Sequence, residues 1–418
     1  MKFIRWIFSG EVLLSGFLVG YLLTPITGGL IVFSHLFMAV SFVAFIYRLY
    51  KKKRLIKRNN IIIPSILYLA ILGLMFLSLL YTPNANFGQE KVVLFSSLTA
   101  WTFFGTLFLI EDKDGLKRLF QGIIFYSTLT SFFMIVTFIG ASGERLGIGG
   151  ADNVIGVARI SGLGIIMVVG LYFYRKVNRY KRFLAFILMV LMVVSLLGTA
   201  SRGPLLALVF SLLFFVPLSF RFSLKDLTLT YNKSIATLFF LFGVTALILP
   251  FFIKQGYFDL MLERMNVLAV HGESAVGGRT SRFDTAMQMF LDSPILGQGI
   301  GSFSNFYWGI DADGYAHNIF LEFASELGFL GLFLFLVLLL YSLFVFVRHL
   351  RRNSLNPYQL VIFISVCYLL INANVSEDFN GNRLLFAFLA LMAMTPKFAN
   401  ENVIRNKKEL EQTANQLN

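Results

Sequence analysis

The chain has 418 residues, 57% of them hydrophobic, 16% aromatic and only 14% charged, and its mean hydropathy is +0.75. Soluble domains carry about a quarter charged residues, so a soluble enzyme, a disordered chain and a disulfide-rich secreted scaffold are all excluded. The single cysteine, Cys367, leaves no intrachain disulfide to form, and the net charge of +14 has to be explained by something other than solubility.

Apolar runs long enough to cross a hydrocarbon core of about 30 Å recur from end to end. They fall at roughly 4–23, 25–47, 61–81, 92–110, 119–140, 160–174, 183–200, 204–220, 234–253, 318–347, 358–374 and 384–396, which predicts twelve helices and an all-α polytopic membrane protein. The runs are continuous rather than alternating, so a membrane β-barrel is excluded. Lys2 and Arg5 ahead of the first run resemble a signal peptide, but no small-residue cleavage pattern follows, and the run is read as retained.

With the N-terminus in the cytoplasm, 27 of the 36 basic residues fall on the cytoplasmic side, including the run RLYKKKRLIKR at 48–58. The positive-inside rule therefore predicts that both termini are cytoplasmic. The basic excess is a topology signal and a contact with anionic membrane lipids; no nucleic-acid partner is expected, since juxtamembrane basic runs are routine.

One external loop is long, 254–317, between the ninth and tenth helices. It carries two amphipathic segments. The first, 256–270, places Phe258, Leu262, Met265 and Leu268 near one face. The second, about 281–291, opens on Thr280/Ser281 as a cap and spaces Phe283, Met287 and Phe290 at helical intervals before Pro294 ends it. The expectation is a layer packed over the outer opening of the bundle.

Nine basic residues remain outside: Lys91, Arg145, Arg159, Arg202, Lys254, Arg264, Arg279, Arg282 and Arg383. Seven are arginine, whose planar fork grips phosphate or carboxylate bidentately, so an anionic ligand is expected on this face. Arg264 beside Glu263 and Arg282 beside Asp284 read as simple ion pairs. Arg202, in the tight turn Ser201-Arg202-Gly203-Pro204, and Arg279, following Gly277-Gly278 ahead of the second loop helix, read as functional. Of the four histidines, His35 reads as a core residue, His349 as part of a basic cytoplasmic loop and His271 as a weak candidate. His317 stands where the long loop returns to the membrane, ahead of a helix bearing Glu322, Glu326, Gly328 and Gly331; near arginines it is the group able to take a proton at neutral pH. Glu11, within the first helix, reads equally as a proton-relay carboxylate or a buried hydrogen-bonded one, and Asp311 and Asp313 as solvated loop acids. Gly297-Gln298-Gly299-Ile300-Gly301 mimics part of a dinucleotide fingerprint but follows Pro294 in a loop, so it reads as a turn; no zinc-ligand spacing and no phosphate loop occur.

These residues resemble the O-antigen ligases and the related Wzy-type O-antigen polysaccharide polymerases. His317-Asn318, nine residues, then Gly328-Phe329-Leu330-Gly331 is similar to that family's H-[NSQ]-x9-G-x2-[GTY] pattern at every defined position. Ser201-Arg202-Gly203 is similar to the turn that opens its shared region. Gly278-Arg279, Phe283 and Pro294-Ile295-Leu296-Gly297-Gln298-Gly299 resemble "GR…W…PLLGVG", with Phe283 in place of the usual tryptophan. The motifs cover roughly 195–335; the remainder matches in topology alone.

The resemblance implies an inverting, metal-independent glycosyltransferase of C-type helical fold, without cofactor. It would act at the outer face of the bacterial inner (plasma) membrane on a glycan linked to undecaprenyl pyrophosphate. His317, Arg279 and Arg202 are the expected catalytic residues, with Arg202, Arg279, Arg159 and Asn318 binding substrate and no metal ligand. Arginines would stabilise the pyrophosphate leaving group, and His317 would take the proton of an acceptor hydroxyl on a glycan or lipid-linked acceptor. Polymerisation of repeat units is favoured over ligation to lipid A–core, because nothing marks a docking site for the core. A twelve-helix secondary transporter is the rival from another class; its two similar halves are not visible here. The expected organisation is 1–194 as N-terminal helices, 195–347 as the ligase/polymerase-like core, 348–396 as the last two helices and 397–418 as a cytoplasmic tail.

Overall fold

The computed structural model describes residues 2–20, 22–23, 32–52, 59–139, 154–174, 177–214, 220–223, 228–231, 243, 272–352 and 356–398. The fold is all-α across the membrane. Helices α1 (Lys2–Ile7), α2 (Gly10–Val19), α3 (Phe33–Lys52) and α4 (Asn59–Ser78) are followed by α5 (Ala85–Leu94), which runs through a π-turn at Phe95–Thr99 into α6 (Ala100–Leu109). Then come α7 (Lys113–Ile139), α8 (Val154–Val168) with a π-turn at Val169–Phe173, α9 (Arg179–Gly198) and α10 (Arg202–Leu213). After α11 (Gly272–Asp292) and the short α12 (Phe303–Trp308), the long α13 (Ile319–Arg352) precedes α14 (Pro357–Ala373) and α15 (Arg383–Ala393). Seven of the described helical segments are long and apolar enough to cross a membrane, and four more, in α2, α10, α14 and α15, are apolar but shorter. Together they account for eleven of the expected spans. The other, 234–253, lies outside the described residues, as does the amphipathic segment 256–270.

Three details differ from the sequence reading. The first span is two helices, broken at Phe8–Ser9, where the Ser9 hydroxyl donates to the Trp6 carbonyl at 2.7 Å. The fourth and sixth spans begin earlier than their apolar runs, at Ala85 and Val154. Lys91 and Arg159 interrupt hydropathy there, but Lys91 pairs with the buried Glu322 and Glu326, and the buried Arg159 with the partly buried Glu377, so the helix continues through them. A short antiparallel hairpin, β1 (Phe220–Ser223) with β2 (Thr228–Tyr231), occupies a connection expected as loop; Phe220 pairs with Tyr231 and Ser223 with Thr228.

The helix Val154–Phe173 lies at the centre, with 94% of its apolar window buried, against 11% for Phe33–Lys51 at the periphery. It can be enclosed because small residues let neighbours approach. Gly162 faces Tyr368 of α14, Gly164 faces Met192 of α9 and Gly170 faces Val361 of α14.

The two ends of the bundle are chemically distinct. At one end Glu11 of α2 is bracketed by Arg48 of α3 at 2.9 Å and Arg118 of α7 at 2.8 Å, which gives it the buried, paired role. Arg48 also donates to the Leu109 carbonyl at 2.8 Å. At the other end the 78–84 connection is laced to the 294–304 segment. Tyr81 donates to the Leu296 carbonyl, Thr82 to that of Ile300, and Asn84 to that of Gly301 and to the Ser304 hydroxyl. Asp311 accepts from the Asn86 and Phe87 amides at 3.0 and 3.1 Å, closing the first turn of α5.

Candidate active site

The first turn of α13 organises this second end. Asn318 accepts from the Phe320 and Leu321 amides at 3.0 and 3.1 Å, so its side chain is a helix cap. Its amide donates to Asn374 Oδ1 at 3.2 Å. Asn318, an expected substrate-binding residue, thus caps α13 and ties it to Asn374, immediately after a second expected site residue. That residue, His317, has φ 57°, a left-handed conformation that costs a non-glycine side chain energy.

The imidazole of His317 meets the Tyr315 ring edge-on with centroids 4.6 Å apart. Arg282 of α11 donates to the Tyr315 carbonyl at 3.1 Å, and its guanidinium lies 5.3 Å from the Tyr307 ring and 5.2 Å from the Trp308 ring. Burial first, then the positive fields of Arg282 and Arg279, lower the His317 pKa to about 4. The ring is therefore neutral at physiological pH, with two arginines beside it. On the other flank, the pKa of Asp313 is raised by burial and then by Asp378. The hydroxyl of Tyr315 is pushed up by burial, then by Glu377 and Asp378. His317 and Tyr315 thus separate a cationic flank from an acidic one.

The 374–382 turn between α14 and α15 joins the remaining residues. Arg159 of α8, 3% exposed, pairs with Glu377 at 3.0 Å and donates to Asn382 Oδ1 at 2.6 Å. Arg202 opens α10, half-buried and engaged by other groups. A Cβ on its neighbour Gly203 would lie 3.2 Å from Val375. Asn318, Gly203 and Arg159 therefore all meet the same turn, which brings the backbone of His317 and Arg202 to it, and Arg279 is near enough to His317 for its charge to act on the ring. Ala200 (φ 49°), His317 and Glu377 (φ 61°) are the three non-glycine residues with positive φ among the described residues. Glu377 lies in this turn, His317 precedes the cap that meets it and Ala200 precedes Arg202 by two residues; such strain is typical of functional sites.

Several expectations are corrected. Helix α11 runs through Gly277, Gly278 and Thr280 without interruption. Arg279 is thus inside a helix, Thr280/Ser281 cap nothing, and free helix-end amides do not reinforce Arg279. A glycine pair weakens a helix by about 1 kcal/mol per residue but leaves its hydrogen-bond ladder intact, unlike proline. The buried face of α11 is centred on Ala286 and Met289, packed with Phe303 and Ala316, while Met287 is 46% exposed. The packed layer over this end is present from 279 onward, rotated from the expected face. His35 is exposed near the start of α3 rather than in the core, and His349 is buried within α13 rather than in a loop. His271, Arg145, Lys254 and Arg264 lie outside the described residues.

Two features were not visible in the sequence. Arg282, set aside as a partner of Asp284, is held by Tyr315 and two aromatic rings; its one signal was lying one helical turn from Arg279, on the same face. Lys91 is no ligand-binding cation. It is 1% exposed and bonds Glu322 at 2.6 Å and Glu326 at 2.8 and 2.9 Å. Glu326 also accepts from the Gly301 amide at 3.0 Å.

The same helix breaks at Gly328 (φ 64°, ψ −162°), and the 294–299 segment fills the break. The Phe329 and Leu330 amides donate to the Pro294 and Ile295 carbonyls, and the Gln298 and Gly299 amides donate to those of Ser325 and Glu326. Gly297 and Gly299, at positive φ, face backbone at 2.5 and 2.6 Å from where a Cβ would stand. The glycine-rich motif is a close-packing joint, which accounts for the separation of His317 and Gly328. Broken helices also mark transporters, but here the break is closed by chain.

Among the described residues, no three His, Cys, Asp or Glu side chains are grouped to hold a metal ion.

A polytopic helical membrane protein with a histidine–arginine rim at one end is the class these features define. Residues 187–336 match the family model Wzy_C, described as O-antigen ligase, which supports membership of the O-antigen ligase family. That stretch contains Arg202, Arg279, Arg282, His317 and the Gly328 joint. No curated protein matches the chain. The match supports a glycosyltransferase-type membrane protein that processes glycan in O-antigen biosynthesis.

Proposed function

We propose that the protein polymerises lipid-linked glycan repeat units, transferring a glycan from undecaprenyl pyrophosphate to a sugar hydroxyl at the outer face of the plasma membrane. The observation that carries this reading is a neutral, conformationally strained His317 flanked by Arg279 and Arg282. In the reaction, a ring nitrogen of His317 takes the proton of the acceptor hydroxyl. The hydroxyl oxygen attacks the anomeric carbon from the face opposite the leaving group. The carbon–oxygen bond to pyrophosphate breaks with inversion, and its electron pair leaves on the pyrophosphate. Arg279 and Arg282 stabilise that charge, with Arg202 on the neighbouring border, and no metal takes part.

Binding of the donor also tunes the base. A pyrophosphate between the arginines offsets the two fields that depress His317, so its basicity rises when the hydroxyl must lose its proton. The acidic flank at Asp313, Glu377 and Asp378 suits the hydroxyl groups of a sugar acceptor, and the rim lies at the end carrying few basic residues, consistent with an outer location.

Purified protein given a synthetic undecaprenyl-pyrophosphate-linked oligosaccharide, in EDTA, should yield a ladder of longer glycans with the newly formed linkage inverted at the anomeric carbon. Transfer to lipid A–core without chain growth would make the protein a ligase. Absence of any transfer, with the donor intact, would overturn the enzymatic reading.

A further inference from the structure

At the end of the bundle opposite His317, a cavity of about 400 Å³ opens between α7, the π-turn after α8, α9 and the start of α14. Its lining is divided. Lys117 and Gln121 of α7 and Lys181 of α9 are polar, whereas Leu184 and Leu188 of α9 and Leu171 are aliphatic. Leu184 and Leu188 are one turn apart, so the apolar wall extends along α9 away from Lys181. Both lysines are exposed, and neither forms an ion pair among the described residues. A third, Lys113, lies over the Tyr358 ring with its Nζ 5.6 Å from the centroid, and Tyr358 also lines the cavity. Arg118, next to Lys117, is held by Glu11 and takes no part.

We infer that this cavity binds an anionic phospholipid, its phosphate between Lys117 and Lys181 and an acyl chain along Leu184 and Leu188. Basic pockets between membrane helices recognise acidic headgroups in this way, and the volume falls within the range of small-molecule sites. A soluble anion would find the cations but leave the aliphatic wall wet. By contrast, a second groove of about 370 Å³, lined by residues including Met38, Phe42, Trp101 and Phe104, has no charged lining residue. The site is independent of the proposed reaction.

The test uses full-length protein in nanodiscs of equal parts dioleoylphosphatidylglycerol and dioleoylphosphatidylcholine, with retained lipid counted by native mass spectrometry after release. The wild type should retain phosphatidylglycerol preferentially. The double substitution Lys117→Gln/Lys181→Gln should lower that retention on the order of tenfold. The charge-matched Lys51→Gln/Arg351→Gln, at exposed basic positions elsewhere, should leave it unchanged. Equal loss in both variants would reduce the effect to general surface charge and overturn the site, as would no loss in the first. In a thermal melt of the detergent-solubilised wild type, phosphatidylglycerol should stabilise, whereas sn-glycerol 3-phosphate and inorganic phosphate at equal concentration should not. Equal stabilisation by either soluble anion would overturn the lipid assignment.

Discussion

His317 and Glu322 are five positions apart in the chain, yet the charges around them are arranged on opposite principles. Around Glu322 and Glu326 everything is enclosed: Lys91 reaches both carboxylates, and the Gly301 amide completes Glu326. Around His317 two arginines share the same sign, and burial first, then their field, depress the pKa of the ring. Compensated burial ties α5 to α13 and builds the wall. Uncompensated charge at its edge is what an anionic substrate would neutralise. Ionisable residues five positions apart thus divide into architecture and chemistry by their partners.

Substitutions should separate the two regions. The largest effect is expected for His317→Gln, which keeps hydrogen bonding but cannot take up the proton. Turnover should fall by a factor on the order of 10²–10⁴, matching His317→Ala, with donor binding and thermal stability retained. Near-normal turnover of purified His317→Gln would leave His317 as a positioning residue. Glu322 and Asp311 are already engaged with Lys91 and the α5 amides, so the search for a base would then turn to Asp313.

Lys91→Met should do the reverse, destabilising the fold by about 3–5 kcal/mol because two buried carboxylates lose their cation. A thermal melt in detergent should show the loss, with partial recovery in Lys91→Met/Glu326→Gln. A melt unchanged by Lys91→Met would mean that the buried group does not hold the wall.

Smaller effects are expected on the cationic flank. Arg279→Lys keeps the charge and loses the fork, so it should behave nearly as badly as Arg279→Ala. Arg282→Lys, which also loses its stacking on Tyr307 and Trp308, should lower kcat/KM roughly 10- to 100-fold, from a charged hydrogen bond worth about 1.5–3 kcal/mol. A lysine variant with full activity would reduce that arginine to a point charge.

The smallest effect is a displacement in pH. The base form of His317 is neutral, so kcat/KM should fall as pH drops through about 4 rather than 6.5. Folding depresses this pKa, so the ring's contribution to stability, full above the unfolded value, should also be lost as pH falls toward about 4. Arg282→Gln removes the largest charge acting on the ring and should move the acidic limb upward. The kcat profile, which reports the donor complex, should have its limb at higher pH than kcat/KM. An unmoved limb in Arg282→Gln would detach the arginine from the base.

Much of this was readable from sequence where one physical signal dominates. Long apolar runs located eleven described spans, and the separation of His317 from Gly328 pointed to the helix that begins just after His317 and carries Gly328. The misreadings occurred where a distant partner overrides local pattern. Lys91 could not be recognised as buried without Glu322 and Glu326, more than 200 residues away. Arg282 was assigned to its neighbour Asp284 because its actual partners, Tyr315, Tyr307 and Trp308, come from another element. Gly277-Gly278 read as a break because propensity is local, whereas α11 persists through it.

The joint at Gly328 bears on how the rim is gated. Four backbone hydrogen bonds cross between the 294–299 segment and the broken helix. At about 0.5–1.5 kcal/mol each, separating them together costs roughly 2–6 kcal/mol, so a detached segment is a minor population, from a few per cent down to a few molecules in about a hundred thousand. Detachment would also strip Glu326 of its Gly301 amide and loosen the hold on α13. The 294–301 segment therefore moves with the bundle, and traffic of glycan into and out of the rim has to pass it rather than displace it.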